Sequence, residues 1–239
     1  MEVPHHAHGS HDKKNWKSYV SEFLMLFLAV FSGFIAENIR EHYVDREKEH
    51  QYIQSMINDM AKDTVQLTLY AETNQKIIKG FDSLLLYLKK PLTDSVVKKL
   101  YVFAGYTASS SLYENANGTI AQLKNAGGFR LIRDTAASNA IAHYDLTNDA
   151  LKKQADAYYR FTLDIINVLE ELMDFYVGSN DKPVQKFYLK NDPDKIRILF
   201  NKCYLQKQVI SGYANALSYQ RKQATGYISL LKKKYHITP

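Results

Sequence analysis

The chain has 239 residues, a net charge of +6 and a hydrophobic fraction of 46%, enough apolar content for a packed core and too much for wholesale disorder. With 10 glycines and 5 prolines, it lacks the dense turn punctuation of a β-sandwich or barrel, so long helices are expected. A single cysteine, Cys203, excludes an intrachain disulfide and any multi-cysteine metal centre, and the basic excess, interspersed with Asp and Glu, reads as a solvated mixed-charge surface.

Residues 1–16 hold His5, His6, His8 and His11 beside Pro4 and read as a disordered His-rich tail, with no functional metal site expected from them. Residues 17–38 read as a transmembrane helix. From Tyr19 to Ala36 the sequence YVSEFLMLFLAVFSGFIA carries one charge, Glu22, close to one end. A span needs about 20 residues rising 1.5 Å each, and the uninterrupted part, Phe23–Ala36, is shorter. Trp16 and Tyr19 on one flank and Tyr43 on the other supply interfacial anchors, and no polar face interrupts the segment. A cleaved signal peptide would close on small residues spaced A-x-A, whereas this one closes on Phe34-Ile35-Ala36-Glu37 and stays helix-compatible beyond. An uncleaved single-pass anchor is therefore expected. Lys13, Lys14 and Lys17 on one side balance Arg40, Arg46 and Lys48 on the other, so positive-inside counting ties. A short tail ahead of a signal anchor usually stays inside, which favours a periplasmic domain over a cytoplasmic one. Ala29, Ser32, Gly33 and Ala36 share one side of the helix and form a candidate packing face, since small residues let helices approach closely in lipid.

No glycine or proline occurs between Phe34 and Lys79, so the anchor is expected to run on as one long helix. Its first extension, 39–52, reads as a polar helical stalk. Glu37, Glu41, Asp45 and Glu49 recur every four residues, as do His42, Arg46 and His50, and neither row is expected to enter a core. From Ile53 a seam follows an alternating four–three spacing through Ile57, Met60, Thr64, Leu67, Ala71, Asn74, Ile78, Phe81, Leu85 and Leu88, the pattern of a helix packed on partner helices. Thr93-Asp94 caps a shorter helix to about Tyr106, breaks follow at 109–111 and 115–118, and a second short helix covers about Thr119–Asn125. Asp134 caps a long helix to about Val177, stopped by Gly178 and followed by a loop with Pro183. Asn191-Asp192-Pro193 opens the last helix, which ends near Lys232–Lys234. The fold class is all-α: one N-terminal transmembrane helix continuing into a long helix of an antiparallel helical bundle, with the bundle domain at 53–239.

Three stretches, Glu22–His42 (EFLMLFLAVFSGFIAENIREH), Arg46–Thr64 (REKEHQYIQSMINDMAKDT) and Gln122–Ile132 (QLKNAGGFRLI), resemble an uncharacterised family of bacterial, Bacteroidota-type single-pass membrane proteins with a helical domain of unknown function. The resemblance covers mainly the first third of the chain and implies a bacterial inner-membrane setting. It brings no catalytic residues.

The chemistry-bearing residues are sparse. Glu47 and His50 form the only Glu-x-x-His turn outside the tail, whereas a di-iron bundle needs two, and no HExxH, Walker A or GxGxxG sequence is present. Cys203 falls in the apolar pattern of the last helix and reads as a buried small hydrophobe. Glu170, Glu171 and Asp174 read as a solvated face. Lys124, Gly127, Gly128, Arg130 and Arg133 surround a glycine turn with positive charge, a candidate contact for an anion or an acidic partner that competes with a plain helix connection. Tyr144, Tyr158, Tyr159, Tyr213, Tyr219, Tyr227 and Tyr235 suggest base stacking, but packed faces account for such rings more simply, and no nucleic-acid partner is expected. The expected function is a membrane-anchored scaffold or subunit of a bacterial envelope complex, without catalytic activity or cofactor. Its expected partners are membrane lipid and either further copies of itself or a membrane-complex partner. The alternative is an extracytoplasmic bundle that senses a small-molecule ligand, as yet unidentified, and signals through a partner.

Overall fold

The computed structural model describes residues 16–125, 127–178 and 187–238; the His-rich tail and the loop around Pro183 lie outside them. Among the described residues the regular structure is helical: α1 (Trp16–Leu88), α2 (Asp94–Ala104), α3 (Gly118–Asn125), α4 (Thr135–Leu172), α5 (Phe175–Gly178) and α6 (Pro193–Tyr235), with a 3-10 turn at Gly128–Arg130. One isolated bridge joins Met173 to Leu189. The chain divides into two compact units, Met1–Lys48 and Glu49–Pro239.

In the first unit α1 is long and apolar enough to cross a membrane. Every described side chain from Phe23 to Val44 is exposed. Phe23, Phe27 and Phe31 stack one turn apart with centroids 6.3 and 5.7 Å apart, and Glu37 pairs with Arg40.

In the second unit the helix starts follow from their caps. The Thr93 hydroxyl accepts from Val96 N, the Asp134 carboxylate from Ala137 N, and the Asp192 carboxylate from Lys195 N, each satisfying an orphan amide of the first turn. Pro193 follows where its missing N–H costs nothing. At the far end of α6, His236 takes φ 52° and its N–H reaches Lys232 O, with Lys232, Lys233 and Lys234 beside the dipole's negative end.

Burial in α4 and α6 repeats every seven residues, the period of helices packed knobs into holes. In α4 the rows are Ala137, Tyr144, Leu151, Tyr158, Ile165, Leu172 and Ile141, Asn148, Ala155, Thr162, Leu169. In α6 they are Leu199, Gln206, Tyr213, Gln220 and Cys203, Ile210, Leu217, Ala224, Leu231. The cross-links Lys195–Glu171, Lys202–Asp164, Gln206–Thr162, Gln220–Asn148 and Lys234–Asp134 run in opposite order along the two helices. Lys207–Asp82, Arg221–Thr68 and Tyr235–Glu49 give α6 the same opposite sense against α1.

The seam expected on α1 is buried at Ile53, Ile57, Met60, Leu67, Asn74, Phe81, Leu85 and Leu88, and partly buried at Thr64, Ala71 and Ile78. A second row, Glu49, Met56, Asp63, Ile77 and Leu84, is buried beside it, so α1 has neighbours on a broader face than one seam supplies. Glu49 corrects the expectation that its row stays solvated. Its carboxylate accepts from Arg133 N at 2.8 Å and the Tyr235 hydroxyl at 2.6 Å, which compensate its burial. The long helix α4 also stops at Leu172 rather than Val177. Met173 turns extended to pair with Leu189, and the Tyr101 hydroxyl ties Asp174 N to Tyr188 O.

Between α2 and α3 the chain is not helical. Residues 107–117, rich in Ser and Asn, which compete for backbone hydrogen bonds, return along α1 in reverse order. Asn74 donates to Ser111 O, Asp63 accepts from Ala116 N, and Asp59 accepts from Thr119 N and its hydroxyl.

Gln206 is fully buried, and its Nε2 donates to Tyr158 O and Thr162 Oγ1 while its Oε1 has no partner. Gln206→Leu keeps the volume and removes the orphan acceptor, and Thr162 keeps its bond to Tyr158 O. The substitution is expected to stabilise the second unit by about 1 kcal/mol in urea unfolding; a destabilisation of that size would mean that the amide layer contributes net stability.

Candidate functional site

Polar side chains converge in the second unit where its apolar core is divided. One apolar cluster contains Leu67, Leu151 and Leu217, and the other Met60, Tyr144 and Ala224. Between these levels lie Asp63, Asn148 and Gln220, all buried. Asp63 Oδ1 accepts from Ala116 N at 2.8 Å and Oδ2 from the Tyr144 hydroxyl at 2.5 Å. Burial holds the Asp63 carboxyl above the usual carboxylate range, against the opposing pull of these two donors. Burial likewise pushes the Tyr113 and Tyr144 hydroxyls upward, with the Asp63 charge adding to the effect. Gln220 Nε2 donates to Asn148 Oδ1 at 2.7 Å and to Tyr144 O at 3.1 Å. Asn148 Nδ2 has no hydrogen-bond partner. Beside it opens a cleft of about 310 Å³ between the return segment (Leu112, Tyr113, Glu114, Asn115, Asn117) and one face of α4 (Asn148, Lys152, Ala155, Asp156).

No protein-family model, curated protein or solved structure matches the chain. The site must be read from its own geometry.

The residues singled out around the glycine turn do not form a pocket of free cations. Lys124 pairs with Asp145 at 2.5 Å, an interaction that raises its pKa. Gly127 takes φ 65°, and a Cβ on Gly128 would come 2.9 Å from Leu123 Cδ2 and 3.2 Å from Leu123 Cα. Both glycines are therefore required by the turn itself. Arg130 is exposed beside Gly127, and Arg133 gives its N–H to Glu49. In the first unit Ala29, Ser32, Gly33 and Ala36 are all exposed, and nothing lies within 4 Å of a Cβ built on Gly33.

Cys203 is buried, and burial pushes its thiol up to about 12, far from a nucleophile's range. Glu171 pairs with Lys195, while Glu170 and Asp174 are exposed. Glu47 and His50 lie on the exposed side of α1. Among the described residues no group of three or more His, Cys, Asp or Glu side chains is placed to hold a metal. Of the tyrosines, Tyr144, Tyr158 and Tyr213 are buried and Tyr227 and Tyr235 partly so, leaving Tyr159 and Tyr219 exposed. The buried ones serve as hydrogen-bonding posts: the Tyr213 hydroxyl accepts from Tyr113 N at 2.9 Å.

Sequence reading missed Asp63, Asn148 and Gln220. Gln220 had a faint signal, lying seven residues beyond Tyr213 in an apolar heptad row.

Because its folded pKa is raised, Asp63 binds its proton more tightly in the native state than in the unfolded one. Its stabilising contribution is full below the ordinary carboxylate range and is lost as pH rises through the raised value. Asp63→Asn keeps an acceptor for Ala116 N and removes the charge. Its stability relative to the natural protein is expected to increase with pH across that window, read from urea unfolding at a series of pH values. A difference independent of pH would show that the carboxylate is not desolvated.

Proposed function

We propose that this chain is a membrane-anchored protein, an antiparallel helical bundle carried by one span in α1, that serves as a scaffold or subunit of a bacterial envelope complex and has no catalytic activity of its own. The observation that carries the reading is the apolar stretch of α1. Phe23, Leu24, Leu26, Phe27, Leu28, Val30, Phe31 and Phe34 are all about half exposed or more. Keeping one large apolar side chain in water rather than burying it costs about 1.5–3 kcal/mol, so together they rival the roughly 5–15 kcal/mol that stabilises a whole domain. A bilayer removes that cost, because in lipid the outward apolar side chains are already in their preferred solvent.

The bundle supports a structural rather than a chemical part. Its convergent polar groups mainly hold the chain's own backbone: Asp63 holds Ala116, Asn74 holds Ser111 and Glu49 holds Arg133. Ala29, Ser32, Gly33 and Ala36 supply a face on which a second copy's span can pack closely. The resemblance to bacterial single-pass proteins favours the inner membrane, and the bundle is proposed to lie on its periplasmic side.

The full chain is expected to stay with membranes after alkaline carbonate extraction and a chain of residues 39–239 to be soluble; extraction of the full chain would refute the span. Gly33→Leu is expected to weaken association of the spans, read by energy transfer between labelled copies in bilayers, and unchanged transfer would remove the small-residue face from the account. For topology, Cys203→Ser with Leu146→Cys puts one thiol at an exposed position of α4. A membrane-impermeant maleimide is expected to label it in spheroplasts with an intact inner membrane. Labelling only after lysis would place the bundle in the cytoplasm.

A further inference from the structure

The outer side of α6 has a composition that the bundle by itself does not explain. From Ile198 to Tyr219 no exposed residue of this helix is charged, although 23% of the chain is Asp, Glu, Lys or Arg. The two lysines of the stretch stand at its edges, Lys202 paired with Asp164 of α4 and Lys207 with Asp82 of α1. On α4, by contrast, Lys152, Lys153, Asp156 and Arg160 are all exposed close together, as on an ordinary solvated helix face. The large side chains on the uncharged side of α6, Ile198, Tyr204, Leu205 and Tyr219, are 45–53% exposed. Loss of charge together with exposed tyrosine and aliphatic side chains is the composition of an interface core.

Ile198, Leu205, Gly212, Tyr219 and Gly226 form one exposed row at heptad spacing on this side, the period of a helix with a partner helix. A glycine inside a helix costs stability relative to alanine, and nothing in the bundle requires either one. Neither Gly212 nor Gly226 has positive φ, and nothing lies within 4 Å of a Cβ added to them. What such glycines do permit is the close approach of another backbone from outside.

We propose that the outer face of α6 docks the same face of a second copy of this chain, centred on Gly212. A two-fold contact brings each patch against itself, so any charge there would meet its like; an uncharged face avoids that repulsion. A foreign partner matched to this basic chain would present acidic groups, and this face offers them no cation. The row from Ile198 to Gly226 runs about 42 Å at 1.5 Å per residue, and a helix is about 10 Å across. The contact then covers about 400 Å² per copy, half of the roughly 800 Å² of a standard interface. It suits copies already brought together, as anchoring in one membrane does by raising their effective concentration. The contact therefore rests on the membrane anchor, but on none of the small residues proposed to pack the spans.

The test uses the full chain in lipid vesicles, with Cys203→Ser and Asn215→Cys placing one thiol on the exposed face, and a short bismaleimide. A cross-linked pair is expected. Leu205→Glu, which sets like charges against each other, is expected to cut its yield roughly tenfold or more without lowering the melting temperature. Gly212→Leu is expected to cut the yield as well while raising the melting temperature, because it replaces an exposed helix glycine with a helix former. A role confined to the fold of one copy would not separate these two readouts. No cross-linked pair, or a yield that both variants leave unchanged, would overturn the proposal. A pair lost with Gly33→Leu but not with either α6 variant would also overturn it and leave the span face standing, whereas a pair lost with the α6 variants and kept with Gly33→Leu would support it and remove the span face.

Discussion

A helical core gives its own backbone amides partners within each helix and has none to spare for a stretch of chain that is not helical. Residues 107–117 pass beside α1, α4 and α6 in that condition, and their buried amides and carbonyls need partners from side chains. Asn74, Asp63 and Tyr213 are among those partners. Each lies where a heptad row of its helix would otherwise place a hydrophobe. Asp63 takes two donors at once, Ala116 N through Oδ1 and the Tyr144 hydroxyl through Oδ2, so one side chain ties the segment to both α1 and α4. Neutralising it leaves the geometry possible. Removing it leaves Ala116 N and the Tyr144 hydroxyl without their acceptor.

Much of this architecture was legible because its signals are local. Thr93, Asp134 and Asp192-Pro193 mark helix starts through chemistry confined to one turn, and the structure places caps at all three. The apolar seam of α1 is likewise a property of one helix. The errors arise where a distant residue decides. Nothing between Leu172 and Gly178 breaks a helix, so the sequence runs on; the helix stops because Met173 is drawn to Leu189. Glu49 belongs to a row of acids in a polar stretch, and only the arrival of Arg133 and Tyr235 takes it inside.

The polar site was the least legible part for the same reason. Asp63 follows Lys62, and Gln206 and Gln220 sit among lysines and arginines. A reading that counts apolar residues assigns all three to solvent. Only the register between helices shows that they share levels with Tyr144, Thr162 and Asn148.

That register explains why such groups suit the core despite their cost. Gln206 meets Thr162 and Gln220 meets Asn148, so the two layers are two heptads apart on both helices. Sliding α6 by one heptad against α4 would set both glutamines against apolar neighbours and leave the buried amides of Gln206, Gln220 and Asn148 without their present partners across the helices. Sliding it by two would repair one layer and orphan the other. An all-apolar seam with the same period would tolerate either slip at little cost, because heptads of Leu and Ile look alike to one another. A buried polar group gives up stability in the correct register and removes far more from the wrong ones. Here the distinction has a further consequence. The return segment is anchored to α1 by Asp63 and Asn74 and to α6 by Tyr213, so a slipped helix would also strand its amides. The two amide layers and the non-helical segment therefore select the same arrangement of α1, α4 and α6.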